Sequence, residues 1–600
     1  MILLQKPQLG YWDLSDLVDG EKNNIKNYLK ILHNDVKKFK ENRELLNANI
    51  SLQKFSKMLL QLEKISENLN TVIGFAHLQY SSNTSSNEYS AFVTEMELLG
   101  TEISNNLIFF DIWFKNTLKE KDANRIIHTI DPVYKHFLTH KRVLGKYTLS
   151  EKEEKIVNIL EVTGPNALVK IYDRMTNNFE FILEIKKNNK IKRRKIINKE
   201  KLMSLVRSNK SEERKAAYKS LFNVYKKNSG VLGEIYLNLI VQWHDENIKL
   251  RSFDSPISVR NVYNDISDTV VSTLLDTCKK NSFIFHKYFN LKAKMLKLKK
   301  LERYHLYAPL IKQGIIQKRY TYEQAVNIVL NVFESFDPKF RDYAEIVFNK
   351  NHVDAEIRKG KMSGAFCSTI TPKLTPYVLL NYDGMYRDIS TMAHEFGHAI
   401  HSICSSNLPI AVSHAPLPLA ETASVFAEML LNEKLAEEMT EQERSILLAE
   451  QIDDMYATIM RQAYFTLFEI DAHNKVIENN ANIDNISSLY QKNLQDQFGN
   501  SVIVSDDFMW EWTYIPHFYH TPFYCYAYAF GNLLVLSLFK MYQKEGKSFI
   551  PEYLNLLSAG GSKNPETLLT EIGFDISDKR FWQQGFNLLS EKIGDLENIV

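Results

Sequence analysis

Apolar residues recur at helical spacing along most of the 600-residue chain, with polar residues filling the positions between them. Residues 25–32 and 55–62 show the pattern first, and the chain up to about residue 150 reads as helices separated by short polar breaks. The clearest break, Ser81-Ser82-Asn83-Thr84-Ser85-Ser86-Asn87, predicts the loop of an antiparallel helix pair. Helical spacing returns from Ser211 towards residue 350, broken at Asp337-Pro338 and Asn349-Lys350-Asn351. Two stretches depart from it. Residues 179–185 and 191–197 flank the polar run Lys186-Lys187-Asn188-Asn189-Lys190 and predict a β-hairpin. Residues 361–370 and 376–382 predict two strands around residues 371–375, leading directly into another helix. The fold is therefore expected to be mainly α, with a small β-sheet ahead of that helix. No repeat of about 20–50 residues is visible, which disfavours a solenoid.

A chain this long exceeds what one core usually serves. The expected division is a helical lobe over residues 1–200, ending in the hairpin, followed by residues 201–600. An apolar content of 44% is ample for such cores. The 74 basic and 72 acidic residues leave a net charge of only +2, so the overall balance does not point to nucleic acid or an anionic membrane as partner. The basic run Lys192-Arg193-Arg194-Lys195 reads as a solvated hairpin face. The most apolar stretch, residues 523–539, carries Tyr524, Tyr526, Tyr528 and Gly531-Asn532, and reads as a buried helix rather than a membrane span. Cys278, Cys367, Cys404 and Cys525 form no C-x-x-C pair and are expected to be reduced thiols. Met1-Ile2-Leu3-Leu4 gives way at once to Gln5-Lys6-Pro7, leaving no room for the apolar region of a signal peptide. A cytoplasmic location is expected.

One motif carries chemistry. His394-Glu395-Phe396-Gly397-His398 matches H-E-x-x-H, which random order would produce on the order of a few hundredths of a time in such a chain. Histidines four apart lie on one helix face and can reach a single metal ion. Glu395 projects about a quarter turn away, free to act as a general base without ligating the metal. Ile389, Met392, Phe396, Ala399 and Ile403, widened by Ile400, form an apolar stripe roughly opposite the histidines. The histidines thus face away from the main core. Asp388 falls in the first turn, where the helix dipole favours an anion.

A catalytic zinc usually keeps three protein ligands and one open position. Candidates for the third are His401, His414, Glu421 and Glu428. His401 lies two turns from His394 with His398 between them, so an unbroken helix gives it a supporting or packing role. A second helix begins near Ala420, after Pro416 and Pro418, and can return antiparallel to the first. Spacing leans towards Glu421 over Glu428 without deciding, and the other carboxylate would bond a ligating histidine. The strand over residues 361–370 could pair with an extended peptide, since small Ser363-Gly364-Ala365 allows close approach; a purely structural hairpin is the alternative. Residues 509–531 are dense in aromatics and mostly core, yet a His and a Tyr among them could donate hydrogen bonds to an oxyanion.

Together these features resemble the M3 family of zinc oligopeptidases, and specifically its oligoendopeptidase F branch. The resemblance runs from Trp12-Asp13-Leu14-Ser15 through Glu161-Val162-Thr163-Gly164-Pro165-Asn166-Ala167 and Pro376-Tyr377-Val378-Leu379-Leu380-Asn381-Tyr382 to the His394 motif. It continues through Glu421-Thr422-Ala423-Ser424 to His517-Phe518-Tyr519 and Phe523-Tyr524-Cys525-Tyr526-Ala527-Tyr528. It implies a mainly α, two-lobed metallopeptidase with a deep central channel, and one zinc ion per chain held by His394, His398 and Glu421, with Glu395 as base. Glu428, His401 and Asp388 would support the ligands. His517 matches a family histidine that contacts substrate. Tyr526 fits best as the oxyanion donor, with Tyr519 and Tyr524 as alternatives, and Ser363, Gly364 and Ala365 match the substrate-pairing strand. The expected activity is cleavage of internal bonds in oligopeptides. A metallocarboxypeptidase and a non-catalytic helical peptide-binding protein are the rivals, and cobalt or manganese could occupy the same ligands.

Overall fold

A computed structural model describes residues 9–18, 22–187, 190–196, 199–310 and 318–600. The fold is mainly α, as the hydrophobic spacing predicts. Its strands are short: β1 (Phe181–Lys187), β2 (Lys190–Ile196), β3 (Leu301–Glu302), β4 (Val353–Asp354), β5 (Phe366–Ser368), β6 (Tyr377–Leu379) and β7 (Val502–Ile503). The chain forms two compact units, each gathered from three segments. The first comprises Met1–Thr148, Ile316–Glu438 and Met541–Phe574; the second comprises Leu149–Ile315, Met439–Lys540 and Asp575–Val600. These boundaries differ from the expected cut at residue 200. The hairpin β1–β2 buries Phe181 and Leu183 and packs on the helix Ser211–Lys227, so burial joins residues 149–200 to the segment that follows them.

In the first unit, helices Leu52–Ser82 and Asn87–Ile112 are joined by a short loop within the predicted Ser/Asn run. Ser51 and Ser86 cap their N-termini by accepting from Lys54 and Tyr89 amides. With helix Lys22–Glu41 they share a core that includes Phe39, Phe55, Phe109 and Phe110. Trp12, Phe75 and Leu78 extend the packing to Tyr377 and Leu379 of β6. The sheet order is β4-β6-β5, with β6 parallel to β4 and antiparallel to β5. β6 is fully buried and β5 is an edge strand.

The strand expected over residues 361–370 is confined to Phe366–Ser368. Gly364 has φ +85°, a left-handed conformation suited to glycine, and Asn381 Nδ2 donates to the carbonyls of Met362 and Gly364. A side chain therefore occupies carbonyls that a ladder would have used. Ser363 and Gly364 form a bend, and Ala365 leads into β5.

In the second unit, the hairpin's basic residues are exposed and partly paired, Arg193 with Glu184 at 2.8 Å and Lys195 with Glu180 at 2.7 Å. Residues 188 and 189 of the expected turn lie outside the described residues. The apolar stretch before residue 540 forms most of the largely buried helix Tyr526–Glu545. No helix among the described residues is long and apolar enough to cross a membrane. All four cysteines are free thiols.

Candidate active site

The H-E-x-x-H motif lies on the helix Tyr386–Cys404. Asp388 starts this helix: its carboxylate accepts from the amides of Asp383 at 3.0 Å and Met385 at 2.9 Å. It thereby fixes the helix end rather than a ligand. Ile389, Met392, Phe396, Ala399 and Ile400 are fully buried, as the apolar stripe requires, whereas Ile403 at its end is only half-buried. His394 and His398 project from the other face with ring centroids 4.9 Å apart.

The return helix Thr422–Ala436 runs antiparallel against it, and Glu421 occupies its N-cap position. Contact is close because residue 397 is glycine. A Cβ there would stand 2.5 Å from Ser424 Cα and 2.6 Å from the Ala423 carbonyl oxygen. Glu421 Oε2 consequently sits 3.4 Å from the Nε2 atoms of both His394 and His398. Among the described residues, these three alone form a group able to hold a metal ion. Ligand atoms bonded at about 2.0–2.2 Å around a tetrahedral zinc stand roughly 3.4 Å apart, so the donor set fits that ion.

The surrounding groups orient the donors. Glu428 Oε1 lies 2.6 Å from His394 Nδ1, leaving Nε2 towards the metal position, and Ser390 Oγ donates to the other Glu428 oxygen at 3.0 Å. Ser424 Oγ donates to Glu421 Oε2 at 2.6 Å. Without a metal, burial would lower the pKa of His394, but the Glu428 hydrogen bond and the neighbouring carboxylates outweigh it and bring it up to about 9. Burial opposes ionisation of Glu421, yet the His398 hydrogen bond, both imidazoles and Ser424 bring it down to about 2. Glu395 is 7% exposed, and its burial raises its pKa against the pull of the two histidines.

A cavity of about 460 Å3 opens onto His394, Glu395 and His398, bounded on one side by Ala365, Phe366 and Cys367 at the β5 edge. His401 and His414 also line it but stand outside the metal group. His401 is buried, which lowers its pKa to about 4, and it bonds the backbone of Ala420.

The second unit gathers a separate cluster. His517 lies on the short helix His517–His520, its Nε2 3.4 Å from the Tyr528 hydroxyl and its ring 6.1 Å from that of Tyr524. All three are half-buried. Tyr526, the expected oxyanion donor, is not with them. It is fully buried and its hydroxyl accepts from Asn264 Nδ2 at 2.8 Å. Tyr519 is likewise core, stacked on Tyr172 at 3.8 Å with its hydroxyl donating to the Leu232 carbonyl. Of the named tyrosines only Tyr524 joins His517, and the sequence reading missed Tyr528. Its position four after Tyr524 was the available signal. Gly397, Ser390 and Ser424 were missed as well; Ser390 precedes His394 by one turn, and Ser424 follows Glu421 by three residues.

The sequence matches peptidase family M3 over residues 204–588. It is 30% identical to an oligoendopeptidase F homolog of Borreliella burgdorferi, covering 98% of each chain. It is 25% identical to the chromosomal oligoendopeptidase F of Lactococcus lactis subsp. cremoris, over 99% of this chain and 98% of that one. Among solved structures it is similar to a Chlamydophila abortus protein assigned as a peptidase, with TM-score 0.85 and 25% identity over 98% of each chain. The fold also resembles that of Enterococcus faecium oligoendopeptidase-F, with TM-score 0.71 and 20% identity over 96% of this chain and 98% of the other.

Proposed function

Since the chain belongs to peptidase family M3 and is a metalloendopeptidase, we propose that it holds zinc at His394, His398 and Glu421 and hydrolyses internal bonds of short oligopeptides. The carrying observation is the equal 3.4 Å spacing of Glu421 from both imidazoles, with Glu395 beside them in the same cavity. Zinc so held would polarise the scissile carbonyl and lower the pKa of water from about 15.7 towards 7. Glu395 accepts the proton of the attacking water and passes it to the leaving amine. Its burial favours this role, because a carboxyl whose pKa is raised holds a proton more readily between the two transfers. Glu428 keeps His394 in the tautomer that offers Nε2, and Ser424 holds Glu421 in place. The extended substrate adds to the sheet at β5, whose outer edge pairs with no other strand among the described residues, with Ala365, Phe366 and Cys367 lining the cavity. His517 acts as a donor to substrate, and the tyrosines able to join it are Tyr524 and Tyr528. A cytoplasmic location is part of this reading, supported by the four free thiols.

The test uses an internally quenched peptide blocked at both ends, with zinc measured by mass spectrometry. The wild type should carry one zinc and cleave the peptide internally. Glu395→Gln should keep the zinc and lose about 10³-fold or more in kcat, in keeping with a proton-transfer role. Full activity in Glu395→Gln, or zinc-loaded wild type that cleaves nothing, contradicts the reading.

A further inference from the structure

Between His517 and Tyr528 the chain turns through Phe523, whose φ of +58° is a left-handed conformation that non-glycine residues rarely adopt. Both polar groups of the peptide unit entering this residue are held by side chains. The Pro522 carbonyl accepts from Arg260 Nε at 3.2 Å, and the Phe523 amide donates to Glu469 Oε1 at 2.9 Å. Arg260 stands on the helix Pro256–Tyr263 and Glu469 on the helix Arg461–Asn479, so two helices grip one peptide unit.

Glu469 is 1% exposed, and its other oxygen has no hydrogen-bond partner. Burying a carboxyl so incompletely satisfied costs stability, and an apolar residue would fill the space at less cost. Burial pushes its pKa up to about 8, so near neutral pH it is mostly protonated and accepts the amide through one oxygen. What the arrangement secures is the backbone turn that sets Tyr524 and Tyr528 beside His517.

We propose that Arg260 and Glu469 are positioning residues, clamping the strained Pro522–Phe523 unit so that Tyr524 and Tyr528 face His517 as hydrogen-bond donors. This rests on the reading that His517 and these tyrosines act on the peptide substrate.

The experiment measures kcat, KM and zinc content with the quenched peptide for Glu469→Leu, Glu469→Gln, Arg260→Met, Tyr524→Phe, Tyr528→Phe, the two tyrosine changes combined, and Glu469→Leu or Arg260→Met added to that combination. Glu469→Gln reproduces the shape of the protonated acid and should stay within about threefold of wild type in kcat. Glu469→Leu should lower kcat by about 30- to 100-fold with KM and zinc content little changed, because it misplaces donors instead of removing binding contacts. Glu469→Leu added to the combined Tyr524→Phe and Tyr528→Phe variant should fall no more than about threefold below that variant alone, since the clamp acts only through these two hydroxyls. Multiplying losses, or a Glu469→Gln variant as impaired as Glu469→Leu, overturn the clamp. If Glu469→Leu does not fold, Arg260→Met asks the same question from the carbonyl side, and multiplicative loss there overturns it too. Wild-type kcat in both Tyr524→Phe and Tyr528→Phe would instead overturn the substrate role of this cluster.

Discussion

At His394, two carboxylates act on one imidazole: Glu428 bonds Nδ1, and Glu421 stands 3.4 Å from Nε2. Together with Glu395 they keep the metal-free ring protonated up to about pH 9. Zinc takes only the neutral ring, so binding at neutral pH should release a proton, and affinity should rise about tenfold per pH unit as pH climbs towards 9, then level off. Calorimetry in buffers of different ionisation heat measures the release directly; a pH-independent affinity would contradict the assignment. The tyrosines separate by the same local logic. Tyr528→Phe should lower kcat by about 10²- to 10³-fold. Tyr526→Phe should instead cost about 1–3 kcal/mol of stability in chemical unfolding, because it leaves buried Asn264 unpaired, with kcat little changed. Alternation of Tyr524, Tyr526 and Tyr528 shows that they cannot share a helix face. Which of them turns inward depends on Asn264, far away in the sequence.

The decisive elements are the histidine helix and the return helix, and Gly397 sets the distance between them. Alanine is the better helix former by about 1 kcal/mol, so on propensity alone Gly397→Ala should stabilise the first helix. Its Cβ would instead meet the backbone of Ala423 and Ser424 and force the return helix, with Glu421, away from the histidines. The expected result is unchanged helicity by circular dichroism, with zinc affinity at least about tenfold weaker and activity reduced in step. Full zinc occupancy at limiting metal would show that the spacing is set elsewhere. The helix, its packing stripe and its histidine face were legible because all three follow from one periodicity. Spacing left the choice between Glu421 and Glu428 open, because both lie on the side of the return helix facing the histidines, and the family resemblance alone pointed to Glu421. Packing puts Glu421 at the Nε2 atoms and Glu428 at Nδ1. The β5 strand was legible as a strand but not in its extent, since Asn381 captures the carbonyls at Met362 and Gly364.

On the scale of the whole molecule, each unit draws on three separated segments, so its stability rests on contacts between distant parts of the chain. In the second unit, Arg303, 1% exposed, donates to Glu511 at 2.9 Å, and Glu511 also receives Tyr490 at 3.1 Å and Arg461 at 3.3 Å. Arg303→Met should lower the unfolding free energy by about 3–5 kcal/mol in denaturant titration, because a buried carboxylate loses its closest cation. Zinc content should remain at wild type, since the three proposed donors, His394, His398 and Glu421, belong to the first unit. The sequence by itself determined whatever one helix's periodicity settles: the predominance of helix, the shared face of His394 and His398, the offset of Glu395 from that face and the core-facing stripe opposite. Apart from Glu421 with the histidines, which the family resemblance anticipated, only the tertiary structure decided which residues from separate elements meet, including Glu428 with His394 Nδ1, Tyr528 with His517, and Glu469 with Phe523. Hydrophobic spacing fixes a side chain's direction on its own element, but meeting depends on how elements separated by tens to hundreds of residues pack.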